Sequence, residues 1–129
     1  MELDRFGTAN DLKELLSIRD SIDDLMERRV ENDGILPKAE LRDEGDAYRV
    51  TFEVPGLRQE DLELAVQGRE LVIAGQREPD HSGERVFSEL NVGPFQRTLT
   101  LPTSVDGAAA TARLTAGLLI LHLPKQEGV

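Results

Sequence analysis

The sequence predicts an all-β chain, an antiparallel β-sandwich preceded by an amphipathic helix, and three observations carry that prediction. Beyond Gly34 the apolar residues alternate with polar ones at a period of two, which is the pattern of half-buried strands. The alternating runs are short and separated by turn residues, as in a sandwich. Near the carboxyl end, Ala112-Arg113-Leu114-Thr115-Ala116-Gly117-Leu118-Leu119-Ile120-Leu121-His122-Leu123-Pro124 compresses a strand, a glycine turn and a strongly apolar strand into one segment. Gly117 can adopt a left-handed turn without a Cβ clash. The run after it is apolar on both faces and reads as a strand covered on both sides.

From Asn10 to Val30 the spacing is helical instead. Leu12, Leu15, Leu16, Ile18, Ile22, Leu25, Met26 and Val30 fall mostly at steps of three and four. Thr8 or Asn10 can cap the start, and Asp11 and Glu14 suit the positive end of the helix dipole. The stripe either packs on its own domain or on a twin copy, or it is a detachable strip that captures partners. Glu31-Asn32-Asp33-Gly34 ends the pattern as a linker.

The strands follow in order. Pro37, Ala39 and Leu41 alternate with Lys38, Glu40 and Arg42. Tyr48, Val50, Phe52 and Val54 form the next run, and Leu62, Leu64 and Val66 the third. Leu71 to Ala74 is a compact buried strand after the Gln67-Gly68-Arg69 turn. Gln76 to Glu84 is an exposed loop, and Arg85 to Leu90 reads as a strand within a longer excursion. Phe95, Arg97, Leu99 and Leu101 alternate up to Pro102, and segments 110–114 and 118–123 close the chain.

Composition narrows the function. A chain of 129 residues suits one domain with appendages. With no cysteine there is neither a disulfide framework nor thiol catalysis, which is compatible with a reducing compartment. No apolar run is long enough to span a bilayer, and Met1-Glu2-Leu3-Asp4-Arg5 is unlike a signal peptide, so a cytoplasmic protein is expected. The net charge of -10, from 25 acidic and 15 basic residues, opposes binding to nucleic acid and favours solubility.

Catalytic signals are weak. His81 and His122 are far apart and outside any metal-ligand spacing, and no Gly-x-x-x-x-Gly-Lys loop is present for nucleotide phosphates. Ser82 and Ser88 lack a nucleophile-elbow context. Neither a catalytic site, nor a metal, nor a cofactor is expected.

Several motifs in a fixed order carry a resemblance. They are the strand ending in Val54-Pro55-Gly56-Leu57, Asp61-Leu62, Leu71-Val72-Ile73-Ala74-Gly75, Glu89, Gly93-Pro94-Phe95-Gln96-Arg97, Leu99-Thr100-Leu101-Pro102, and Ala112 with Gly117-Leu118-Leu119. Together, over roughly residues 35 to 125, they resemble the α-crystallin domain of the small heat shock proteins, bacterial type. Ala116 departs from the Asn or Asp often found before the last glycine, and Thr100 stands where a basic residue is frequent.

The resemblance implies an immunoglobulin-like antiparallel sandwich at 35–125, an amino-terminal helical arm and linker at 1–34, and a short tail at 126–129. It implies an ATP-independent chaperone, a holdase that binds unfolding proteins and prevents their aggregation. The alternative is a CS-type sandwich adaptor that binds one folded partner. Such domains lean on surface aromatics, whereas aromatic residues are 4% here and tryptophan is absent.

Candidate client-binding residues are Leu12, Leu15, Leu16, Ile22, Leu25 and Met26 on the arm, with Leu64, Val66 and Leu114 on groove strands 62–66 and 110–114. The opposing reading of the groove residues is that they point into the sandwich. The dimer contact is expected where the strand around Val86 and Phe87 pairs with Pro37, Ala39 and Leu41 of a twin chain, a local hairpin being the alternative. Relatives usually carry an Ile/Val-x-Ile/Val tail motif that plugs a groove on a neighbouring dimer. No such motif follows Pro124, so a homodimer with at most weak larger association is expected.

Overall fold

The computed structural model describes residues 15–27 and 36–126. Two sheets face each other. One has the order β1 (Leu15–Leu16), β8 (Thr111–Thr115), β9 (Leu118–Pro124), β4 (Ala47–Glu53), β3 (Ala39–Asp43). The other runs β2 (Ile18–Arg19), β5 (Leu62–Gln67), β6 (Glu70–Arg77), β7 (Gly93–Thr100). Every pairing is antiparallel except β2 with β5, which is parallel. The expected sandwich is therefore what the chain forms.

The period-two residues make its core. Val50, Phe52 and Val54 of one sheet meet Leu64, Val66, Leu71 and Ile73 of the other, with Leu119, Leu121 and Leu123 fully buried among them. On the outer face of β9, Leu118 and Ile120 are only half-covered. The apolar run there is thus not enclosed on both sides, because nothing in the described chain packs over the outside of that sheet.

The larger difference is in the arm. Of the helix expected from Asn10 to Val30, the described part contains one turn, α1 (Asp23–Met26). Residues 15–19 are extended instead and join the sheet edges. Leu16 and Ile18, two positions apart, both pack against the sandwich core. A helix would point them about 200° apart, so tertiary contact overrides the helical spacing. Leu12 lies outside the described residues.

The strand expected at Arg85–Leu90 is also absent. Register between β6 and β7 runs up to Arg77 opposite Gly93, so the excursion 78–92 leaves and returns at one rung of the ladder. Within it, Val86 is 91% and Phe87 77% exposed. A strand needs a neighbour to pair with, and the described residues offer none there.

The β8–β9 hairpin turns on Ala116 and Gly117, with φ of 52° and 79°. Two left-handed residues in succession are the signature of the turn whose twist matches a hairpin. A Cβ on Gly117 would also stand 3.4 Å from Pro55 Cα. Alanine is costly in this conformation, by about 1–2 kcal/mol, whereas Asn tolerates it. Ala116→Asn should therefore stabilise the sandwich by about 1 kcal/mol in denaturant unfolding. An unchanged midpoint would show that the turn bears no strain.

Candidate functional site

The sandwich is open along one seam, where β5 borders one sheet and β8 the other. Edge strands leave a row of unpaired N–H and C=O groups, and such edges invite pairing. Here the arm occupies both. Leu15 and Leu16 pair with Arg113 and Ala112, and Ile18 and Arg19 pair with Leu64 and Ala65. Ser17 is the crossing point and remains exposed. Leu16 and Ile18 face inward, opposite the buried Ala112 and Leu64, and close the seam.

Polar contacts fix the segment. Arg19 Nη2 donates to Glu63 Oε2 at 2.8 Å, and Arg19 also lies 4.0 Å from Asp24. The backbone N–H of Ile22 donates to Gln67 Oε1 at 3.1 Å. Beyond that, α1 sets Leu25, fully buried, on the outer face of the β5–β6–β7 sheet against Ala65, Val72 and Ala74. Those small side chains leave a hollow that one leucine fills. Met26 Sδ accepts from Gln96 Nε2 at 3.5 Å and from Thr98 Oγ1 at 3.8 Å.

The apolar gain of this docking is set against the cost of ordering the segment. Full burial of a leucine or isoleucine contributes about 1.5–3 kcal/mol, and Leu16, Ile18 and Ile22 are only partly buried. Fixing each residue's backbone costs about 1–2 kcal/mol, so much of the gain is offset. Recesses of about 450 and 500 Å³ flank the segment, one lined by Leu15, Gln59 and Leu62, the other by Asp24, Gly107 and Ala110. The seam is therefore closed by a narrow plug.

The predicted site residues now separate. Leu64 and Val66 are in the core at 1% exposure, so their side chains are closed to a client in this arrangement. The expectation that they line an accessible groove is corrected: the inward phase of β5 makes them core, and the strand offers its backbone edge instead. Leu114 is half-buried and packs on the core. Of the arm residues, Leu15 and Met26 are partly exposed, while Leu16, Ile22 and Leu25 are committed to the sandwich. Ile18 and Arg19 were missed as members of this constellation. The apolar-Ser-apolar spacing of Leu16-Ser17-Ile18 is the signal that could have found them.

The opposite border of the five-stranded sheet is β3. Pro37, just before it, is buried, Ala39 packs on the core, and Leu41 is exposed. Arg97 donates to the Pro37 carbonyl. Arg77 donates to the carbonyls of Pro55 at 2.7 Å and Asn91 at 3.3 Å, pinning the roots of the excursion that carries Val86, Phe87 and Leu90.

At the far end of β3, Lys125 Nζ donates to Asp43 Oδ1 at 2.9 Å and sits 4.8 Å from the Tyr48 ring centre. The Lys125 hydrogen bond, with that of the Gly45 N–H, holds the Asp43 carboxyl below its ordinary value, and Asp43 raises Lys125. A lowered acid stabilises the fold above its unfolded value and loses that contribution as pH falls through the folded one. Lys125→Met should therefore move the Asp43 titration upward by NMR. The stability gap between the two proteins should close in strong acid. A gap that persists there would place the role of Lys125 in packing rather than charge.

Among the described residues, no group of three or more His, Cys, Asp or Glu side chains could hold a metal ion, and no helix is long and apolar enough to cross a membrane. The site is thus an assembly of sheet edges and apolar side chains, and its class is a strand-pairing β-sandwich. The Hsp20/alpha crystallin family model matches residues 40–129, and the chain belongs to that family.

Spore protein SP21 of Stigmatella aurantiaca is 35% identical over 97 residues, covering 73% of this chain and 57% of that one. Small heat shock protein C2 of Rickettsia felis is 29% identical over 101 residues, covering 72% and 62%. This chain therefore matches about three fifths of the length of these relatives. Among solved structures, heat shock protein 16.0 of Schizosaccharomyces pombe superposes with a TM-score of 0.66 at 29% identity, covering 74% of this chain and 91% of that one.

Proposed function

We propose that this chain is an ATP-independent chaperone that holds unfolding proteins and keeps them from aggregating, and that it works in the cytoplasm. The observation that carries this reading is the β5–β8 seam, which accepts an extended apolar segment through backbone pairing. Backbone pairing and apolar contact need no side-chain code, so a site built this way takes many sequences. Its family membership agrees with the reading, and a CS-type adaptor is not favoured by a chain with so few aromatics. The acidic surface keeps a loaded complex in solution.

Client contact is assigned to the seam backbone and to the arm residues Leu12, Leu15, Leu16, Ile22, Leu25 and Met26. The working unit is a homodimer, with weak larger association. In it the excursion around Val86 and Phe87 pairs with the β3 edge of a second copy, at Pro37, Ala39 and Leu41. Exposed apolar residues on one side and an edge left unpaired among the described residues on the other support this pairing.

Light scattering of heat-labile proteins tests the first claim. The chain should suppress aggregation of several unrelated clients equally with and without ATP, since its sequence has no phosphate-binding loop. Scattering left untouched at equimolar chain would overturn the reading. For the second claim, Phe87→Asp should shift dimer to monomer in light scattering after size separation, because it forces charge into the pairing surface. A variant that keeps the wild-type mass would remove Phe87 from the interface.

A further inference from the structure

The excursion 78–92 leaves β6 and rejoins the sheet at β7 on one rung, Arg77 opposite Gly93, so its aim is decided at that neck. Arg77 is out of keeping with its strand. It shares the inward phase of Leu71, Ile73 and Gly75, yet it is a charged residue at the rim of the core. Its guanidinium forks between two carbonyls: Nη2 donates to Pro55 at 2.7 Å and Nη1 to Asn91 at 3.3 Å. Asn91 belongs to the returning limb of the excursion. Pro55 belongs to the body, since Val54 before it is buried and donates its backbone N–H to the Gly117 carbonyl at 2.8 Å. One side chain therefore joins the limb to the sandwich. On the β3 side Arg97 donates to the Pro37 carbonyl, and Arg77, Pro37, Val54 and Phe95 line one recess of about 180 Å³. The neck of the excursion and the start of β3 are thus held against the same part of the core.

We propose that Arg77 is the positioning residue of the homodimer. It sets the direction in which the excursion is presented, so that two chains each give an excursion and receive one at the same time. This inference rests on the pairing of the excursion with β3 proposed above. In a two-fold dimer the same two surfaces meet twice, so the angle between excursion and β3 within one chain decides whether the second pairing can close. With that angle held, the second contact is intramolecular and gains from effective concentration. With the neck released, an excursion reaches a third chain as readily as the first, and the contact runs on head to tail. Arginine suits the task because its planar fork serves two acceptors at once, whereas lysine is a point donor.

The chain has no cysteine, so two introduced ones carry nitroxide spin labels at chosen places. In the full chain, Ser88→Cys marks the excursion and Thr51→Cys marks β4, and pulsed electron resonance reads the distance between them. This measurement is made with Phe87→Asp present to suppress pairing. The labelled chain is diluted in unlabelled chain of the same variant, so that only labels within one chain are read. In parallel, without labels or Phe87→Asp, Arg77→Ala and Arg77→Lys are compared with the wild type by light scattering after size separation, over a series of concentrations.

The distance should be narrowly distributed with Arg77 and broad with Arg77→Ala. Arg77→Ala should weaken the dimer about tenfold, as expected for loss of a charged two-acceptor contact. Its mass should also keep growing with concentration instead of stopping at two chains. Arg77→Lys, which keeps the charge and a single donor, should fall between. A distance distribution unchanged by Arg77→Ala would overturn the positioning role. So would an Arg77→Ala dimer as tight and as sharply bounded as the wild type, even if its unfolding midpoint falls. A wild-type chain that stays monomeric throughout would remove the pairing reading itself, and the positioning role with it. Should Arg77→Ala fail to fold, Arg77→Lys still decides the matter, since wild-type mass and distance width in that variant would overturn the proposal.

Discussion

Backbone hydrogen bonding at the borders of the two sheets is the constraint on which the rest of this molecule depends. A sandwich buries its side chains well, but each sheet ends in a strand with one row of donors and acceptors unmet. At the β5–β8 border this chain meets the need with its own residues 15–19. At β3, the other border of the five-stranded sheet, no described residue does so. One border is thus occupied within the chain, and along the other no described residue pairs.

This constraint also explains why the site has no side-chain chemistry to speak of. Where recognition is by ladder hydrogen bonds, alternating side chains need only be apolar and of suitable size. The core supports this by keeping β5 in register. Leu64 and Val66 lie beside Ile73 and Leu71 of the neighbouring strand and share the buried core with them, so the edge presents a fixed template. Gly75 serves the same end. A Cβ there would lie 2.6 Å from the Phe95 ring and 2.8 Å from the Asp61 carbonyl, so only glycine lets β6 pass this close to the turn that begins β5.

The sandwich was legible in the sequence because its period-two runs map directly onto inward and outward faces, as with Val50, Phe52 and Val54. The hairpin was legible from Gly117. The arm was not. Leu16, Ile22 and Leu25 satisfy helical spacing, and only a neighbouring edge, which sequence spacing does not display, makes 15–19 extended. Whether Leu64 and Val66 point in or out depends on strand phase relative to the opposite sheet, so the pattern alone left both faces open. The stretch around Val86 has strand-forming residues, but no ladder partner stands beside it among the described residues.

Amide hydrogen exchange measures the central claim most directly, since it reads the pairing of the seam itself. Exchange should be compared between the full chain and one that begins at residue 28. The account predicts faster exchange confined to the edges at residues 62–67 and 111–115 and to the hollow floor around Val72, with β4 and β9 unchanged. Equal protection of β5 and β8 in both chains would contradict it, for then the arm would not be what closes the seam.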